Sequence, residues 1–314
     1  MKKKYIILIF FSVFLCLLII KNNVTKDIST FSVNYLNQYK AVQFPKEDID
    51  LSQPKGITAI NKGIVVVDSG NNRLIFLDDD GNYIKSIGNI GNGPLEFLDP
   101  TGITIDKNNN IYVIDNGNRR IQILNENGDY LDSIMLREFS KMRKESYLSD
   151  IAVDEKNRIY FSTCCLEQEF AHIYSIDTNN KIEKIGSNKY GYLISGSSNI
   201  FFSQQLELKY EDNKIIAQSG KNSFYKIKDS KLIKEYKLPT KYAPRDGFVA
   251  DNYIYVISGA FYNIDKFDLS GKYIGTLLKG GRDYLGLKYI VVKENIIYAT
   301  NPEKNLIYKL DKIK

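Results

Sequence analysis

The chain has 314 residues, 43% hydrophobic and 25% charged, an ordinary globular composition with material for a sizeable core. Its formal charge of +6 is uneven: five lysines lie in residues 1–26, and the remaining 38 basic residues face 37 acidic ones. A nucleic-acid binder carries its basic excess on the folded part, so that class is disfavoured.

In chain order, Lys2, Lys3 and Lys4 precede an uncharged apolar run, Tyr5 to Ile20 (YIILIFFSVFLCLLII). This layout leaves the amino terminus in the cytoplasm and sends the rest of the chain across a membrane. Sixteen helical residues rise about 24 Å, short of a hydrocarbon core of about 30 Å, and Lys4 and Lys21 can snorkel across the difference. No small-x-small cleavage site follows closely. Leu15 stands before Cys16, where a lipidated cysteine wants a small neighbour. Residues 1–27 are therefore read as an uncleaved signal-anchor, with cleavage and lipidation as alternatives. Residues 28–53 are read as a tether and closing strand, and 54–314 as one folded domain.

That domain repeats. GITAINKGIVVVDSGNNRLIFLDDDGNYIKSIG from Gly56 aligns with GITIDKNNNIYVIDNGNRRIQILNENGDYLDSI from Gly102. Asp68, Gly70, Arg73 and Gly81 fall on Asp115, Gly117, Arg120 and Gly128. Each copy reads as four β-branched, aromatic strands separated by Asn, Asp and Gly, the residues that supply positive φ in tight hairpins. Weaker copies start near Asp150, Phe201, Gly247 and Leu285, the last ending in a stub. Six units of about 48 residues suit four-stranded propeller blades. Radial packing buries both faces of each blade, and ring closure leaves no end to cap. The incomplete last unit needs an outer strand, and Tyr35–Phe44 (YLNQYKAVQF) is the candidate.

The stretch GNGPLEFLDPTGI, Gly91 to Ile103, has the glycines of an anion-binding loop, but a strand follows it where such a loop needs a helix. It reads as a connector between blades, with Phe97 and Leu98 plugging the seam. From this connector through NIYVIDNGNRRIQILNENG the chain resembles the NHL repeat, with its G-x-G-P-x-x-F, P-x-G-I, Y-V-x-D and N-x-R-I-Q elements in order. The whole resembles the exported six-bladed propeller proteins of Bacteroides-type bacteria. The resemblance implies an all-β, six-bladed β-propeller and no single activity.

In such a topology the inter-blade connectors and the turns joining second and third strands share one face. Those turns read as 69–72, 116–119, TCCLEQEFAH (163–172), SGKN (219–222), SGAFYN (258–263) and NPEKN (301–305). Asp68 with Arg73, and Asp115 with Arg120, repeat in the good copies, which suits a structural ion pair across the hairpin. Arg245 and Asp246, and Arg282, Asp283 and Tyr284, appear at matching places before inner strands. With Tyr192 and Tyr242 they form the candidate binding set, since arginine and tyrosine anchor peptides and glycans and the chain has no tryptophan. The bland alternative is a solvated rim.

Cys164, Cys165 and His172 are the only soft-ligand cluster, and an adjacent cysteine pair makes a poor zinc site and a poor staple. No metal or cofactor is expected from them. One histidine excludes a lyase that holds zinc through several. The expected function is a non-catalytic binding or scaffold module, extracytoplasmic and membrane-anchored, for a peptide, glycan or envelope protein. The alternative is a calcium-dependent hydrolase of lactonase or phosphotriesterase type, with Asp246 and Asp283 among the oxygen ligands. A sensor ectodomain would need a partner protein, because only MKKK would remain inside.

Overall fold

A computed structural model describes residues 36, 39–44, 49–136, 147–164, 172–186, 189–195, 200–211, 214–237, 244–258 and 262–312. The apolar run, most of the tether, Tyr242 and Cys165 lie outside them. No helix among the described residues is long and apolar enough to cross a membrane.

After β1 (Tyr39–Phe44), blade one holds β2 (Pro54–Ile60), β3 (Gly63–Asp68), β4 (Arg73–Leu77) and β5 (Tyr83–Ile87). The connector carries a short parallel pair, β6 (Asn89–Ile90) and β7 (Glu96–Phe97). Blade two is β8 (Pro100–Ile105), β9 (Ile111–Asp115), β10 (Arg120–Leu124) and β11 (Tyr130–Met135). Blade three is β12 (Tyr147–Val153), β13 (Ile159–Cys164), β14 (His172–Ile176) and β15 (Ile182–Gly186). Blade four is β16 (Lys189–Ser195), β17 (Ile200–Glu211), β18 (Lys214–Lys228) and β19 (Lys231–Lys237). Blade five is β20 (Pro244–Ala250), β21 (Tyr253–Ser258), β22 (Ile264–Asp268) and β23 (Tyr273–Leu278). Blade six has β24 (Tyr289–Lys293), β25 (Ile296–Asn301) and β26 (Leu306–Lys312), and β1 completes it.

Both faces of each blade are buried against neighbours, so the inner strands read as near-continuous apolar runs. In β3, all of Gly63 to Asp68 is buried. Ile64 and Val66 face blade six, and Val65 and Val67 face blade two. The six apolar clusters among the described residues correspond to the six seams between blades. Blades four and five meet more closely still, with β16 and β20 pairing in parallel through Ile194 opposite Gly247.

The turns between strands follow one chemical rule. Asp78, Asp106, Asp154, Asp177 and Asp268 each accept two backbone N–H groups, from the residues two and four positions on. An Asn or Gly at positive φ closes the turn, as at Asn109 (61°) and Gly81 (90°).

Several local expectations change. The closing strand starts at Tyr39, and it pairs antiparallel with β26 from Tyr39–Lys312 to Phe44–Ile307. Phe97 is fully buried in the seam, but Leu98 is 40% exposed because its backbone, not its side chain, makes the latch to the next hairpin. Blade four begins with β16, so Tyr192 is an inner-strand residue and not part of a connector. Residues 219–222 lie within β18, not in a turn. The hairpin of β17 and β18 runs on past β16, whose last pair is Lys189 with Glu207, from Leu208 opposite Ala217 to Glu211 opposite Lys214. At about 3.3 Å per residue those four residues rise about 13 Å.

Phe44 is the anchor of the closing strand, buried at 5.3 Å from the Tyr298 ring and packed against Gly81. Phe44→Ala is expected to lower stability by about 3–5 kcal/mol, read as an earlier urea midpoint with an unchanged slope.

Candidate functional site

The face built by the connectors is held by a repeated latch. Asp68 accepts Ser52 N–H at 2.7 Å, Arg73 Nε at 2.7 Å and Asn71 Nδ2 at 2.9 Å. Asp115 does the same with Leu98 N–H, Arg120 Nε and Asn118 Nδ2, each at 2.8 Å. Each arginine reaches on to connector carbonyls: Arg73 to Asp50, and Arg120 to Asn92, Gly93 and Glu96. In blade six Asn301 stands in the same place and donates to Leu285 O at 2.8 Å. A second network crosses blades one to three. Lys55 donates to Asp99 at 2.7 Å and to the Tyr147 hydroxyl at 2.9 Å, and Asn116 holds the other Asp99 oxygen.

Register locates the axis. Ile57, Ile103, Ile151, Leu193, Gly247 and Ile290 occupy one level of the six inner strands. The residues just before them are Gly56, Gly102, Asp150, Tyr192, Asp246 and Tyr289. A Cβ at Gly56 would lie 2.7 Å from Thr101 O, so blades one and two approach too closely there for any side chain. At Asp150 and Asp246 each carboxylate bridges to the next blade. Asp150 Oδ2 accepts Leu193 N–H at 2.9 Å, and Asp246 Oδ2 accepts Ile290 N–H at 2.9 Å. Both are almost wholly buried (7% and 5% exposed) and line one small axial cavity. Its volume, about 20 Å³, has room for a water and not for a substrate.

Burial pushes the Asp150 carboxyl up to about 7, against its backbone hydrogen bonds and the charge of Lys288. Asp246 is also raised, first by burial and then by Asp150, which places the two carboxyls within electrostatic reach. They share the cavity as neighbours that resist ionising together.

The sequence-derived binding residues do not form one cluster. Asp246 is axial, whereas Arg245 stacks outward on Tyr262. Arg282, Asp283 and Tyr284 form an exposed 3-10 turn, and blade six has Tyr289 at the level of Asp246, so the two sets are not equivalent. Tyr284 contacts Tyr308 edge-on at 5.5 Å, and Asp283 O accepts the Tyr308 hydroxyl at 3.3 Å. Asp246 faces Asp150, not Asp283. Tyr242 is outside the described residues, as is the side chain of Tyr192. His172 is buried beside Tyr174. Among the described residues no three His, Cys, Asp or Glu side chains gather as metal ligands. Asp150, Lys288 and Tyr262 were not singled out by sequence. The signal for Asp150 was the glycine column of the repeat, where two carboxylates replace Gly56 and Gly102.

The chain belongs to a family described as 6-bladed beta-propeller, whose model matches residues 44–248. No curated protein matches it in sequence. Solved structures of the same fold include a gluconolactonase from Xanthomonas campestris, 12% identical over 90% of this chain and 94% of that one, with a TM-score of 0.63. Virginiamycin B lyase from Staphylococcus aureus is 16% identical over 88% and 99%, with a TM-score of 0.55. A protein from Bacteroides fragilis described as exported is 13% identical over 90% and 98%, with a TM-score of 0.55. At these identities the likeness concerns the fold.

A carboxyl raised by folding binds its proton more tightly in the folded chain. Its contribution to stability is therefore complete below about pH 4 and is lost as pH rises through about 7, on the order of 4 kcal/mol for Asp150. Melting curves from pH 5 to 8 should show the wild type falling relative to Asp150→Asn; parallel curves would refute the shift. Independently, Arg120→Ala leaves buried Asp115 without its counter-charge and is expected to cost about 3–5 kcal/mol in denaturant unfolding.

Proposed function

We propose that the protein is an exported, membrane-tethered propeller that holds a peptide, glycan or envelope protein on its connector face and does not transform it. One observation carries this reading: the axial space is too small for a substrate, and its two carboxylates already bridge neighbouring blades. Ligand contact then falls to the connector face, where Arg245 with Tyr262 and Tyr284 with Tyr308 offer cationic and aromatic anchors. The apolar leader and the likeness to a Bacteroides fragilis protein described as exported support export. In a panel of peptides and oligosaccharides, Tyr284→Ala should weaken capture by the full chain in detergent. Lys156→Ala, in a turn of the opposite face, should leave capture unchanged. The reverse pattern would reject the connector face as the binding surface.

A calcium-dependent hydrolase of lactonase or phosphotriesterase type is the second reading. It is favoured by two buried, proton-holding carboxyls on one cavity, in a fold shared with a gluconolactonase. The described residues fit calcium only in part, since the ion takes six to eight oxygens, and Asp150 already accepts a backbone N–H at each oxygen and Asp246 at one. The binding reading expects one melting temperature in calcium and in chelator, and no turnover of lactones or phosphotriesters. A calcium-dependent rise abolished by Asp246→Asn, together with turnover, would instead establish the hydrolase.

A further inference from the structure

Arg245 stands apart from the arginines that hold the turns. Arg73, Arg120 and Arg158 each have an aspartate oxygen at 2.7–2.8 Å. Arg245 is half-buried, and among the described residues no carboxylate pairs with it. Asp246, next in the chain, turns its carboxylate away to Ile290 N–H. What Arg245 does have is a platform: its guanidinium lies 4.5 Å from the Tyr262 ring centroid, and Nη2 donates to the Tyr262 hydroxyl at 2.9 Å.

That platform is fixed at a conformational cost. Tyr262 has φ 57°, uncommon for a bulky residue and worth about 1–3 kcal/mol of strain. Its N–H donates to Ser258 O at 2.8 Å, while Ser258 N–H donates to Asn263 O at 2.9 Å, locking the turn. The structure thus holds a half-buried cation in place with one of its five N–H groups taken by Tyr262. The rest of the planar fork has no hydrogen-bond partner among the described residues, and its geometry matches the two coplanar oxygens of a carboxylate.

We infer that the connector face, at Arg245 on Tyr262, takes the carboxylate of an organic monoanion. The inference rests on the connector-face binding reading and names the chemistry that face selects. The carboxylate could belong to an acidic peptide or to a uronic acid, and paired probes separate the two. Calorimetry on the full chain in detergent would compare an acetylated aspartyl tripeptide with its asparagine form, and digalacturonate with its methyl ester. One acid should bind at least roughly tenfold more tightly than its neutral partner. Arg245→Gln should abolish that difference with the melting temperature retained, and Arg245→Lys should restore part of it. If Arg245→Gln fails to fold, Arg245→Lys and Tyr262→Phe carry the test, each reducing the preference for the acid. Equal binding of acid and neutral forms, or an acid preference untouched by these variants, overturns the carboxylate site and leaves the binding face standing. Failure of all four probes at millimolar concentration overturns the carboxylate site as well, whereas the binding face itself is lost only if the Tyr284→Ala and Lys156→Ala comparison also fails.

Discussion

Among the described residues the blades carry buried apolar side chains on both of their faces, and that constraint organises the rest. A sheet with one wet face can stop at a sandwich, but a sheet with two dry faces needs a neighbour on each side. Each blade therefore recruits another until the ring shuts, and the described apolar clusters sit between blades, not within them. The outer strand of the last blade comes from the other end of the domain, which ties residues 39–44 to 306–312. Closure converts six marginal sheets into one cooperative body.

Closure also dictates what the axis can be. Six inner strands converge, and their spacing is set by whichever residue stands at the shared level. Glycine at Gly56 lets two backbones nearly touch, while aspartate at Asp150 and Asp246 reaches the neighbouring strand through a hydrogen bond. The same replacement that stitches the ring brings two carboxyls into one dry space, where burial holds them toward the neutral acid. Structure and chemistry are not separable at this level. A group recruited to bridge blades becomes a strongly perturbed acid.

The connector face is the opposite case, in which repeated charge is neutralised locally. Asp68 and Asp115 are buried, yet each is surrounded by a backbone N–H, an amide and a guanidinium, so their charges serve to pin loops. Against that background a guanidinium held on tyrosine without an acid stands out. Repetition marks scaffold here, and departure from repetition marks the places where a ligand has something to meet.

The sequence by itself determined the blade count, the four-strand unit, the seam residue Phe97 and the strand that closes the ring. These depend on periodic patterns and turn chemistry, which are local and repeat. It also carried the Asp–Arg pairs, because they recur at a fixed spacing. Only the tertiary structure decided that Asp150 and Asp246 share a cavity, since they are far apart in sequence and meet through the curvature of the ring. It alone separated Arg245 from the turn at Arg282, and revealed the long hairpin of β17 and β18 where the repeat had decayed. Local chemistry is written along the chain; which residues face each other across an axis is fixed only when six sheets close around it.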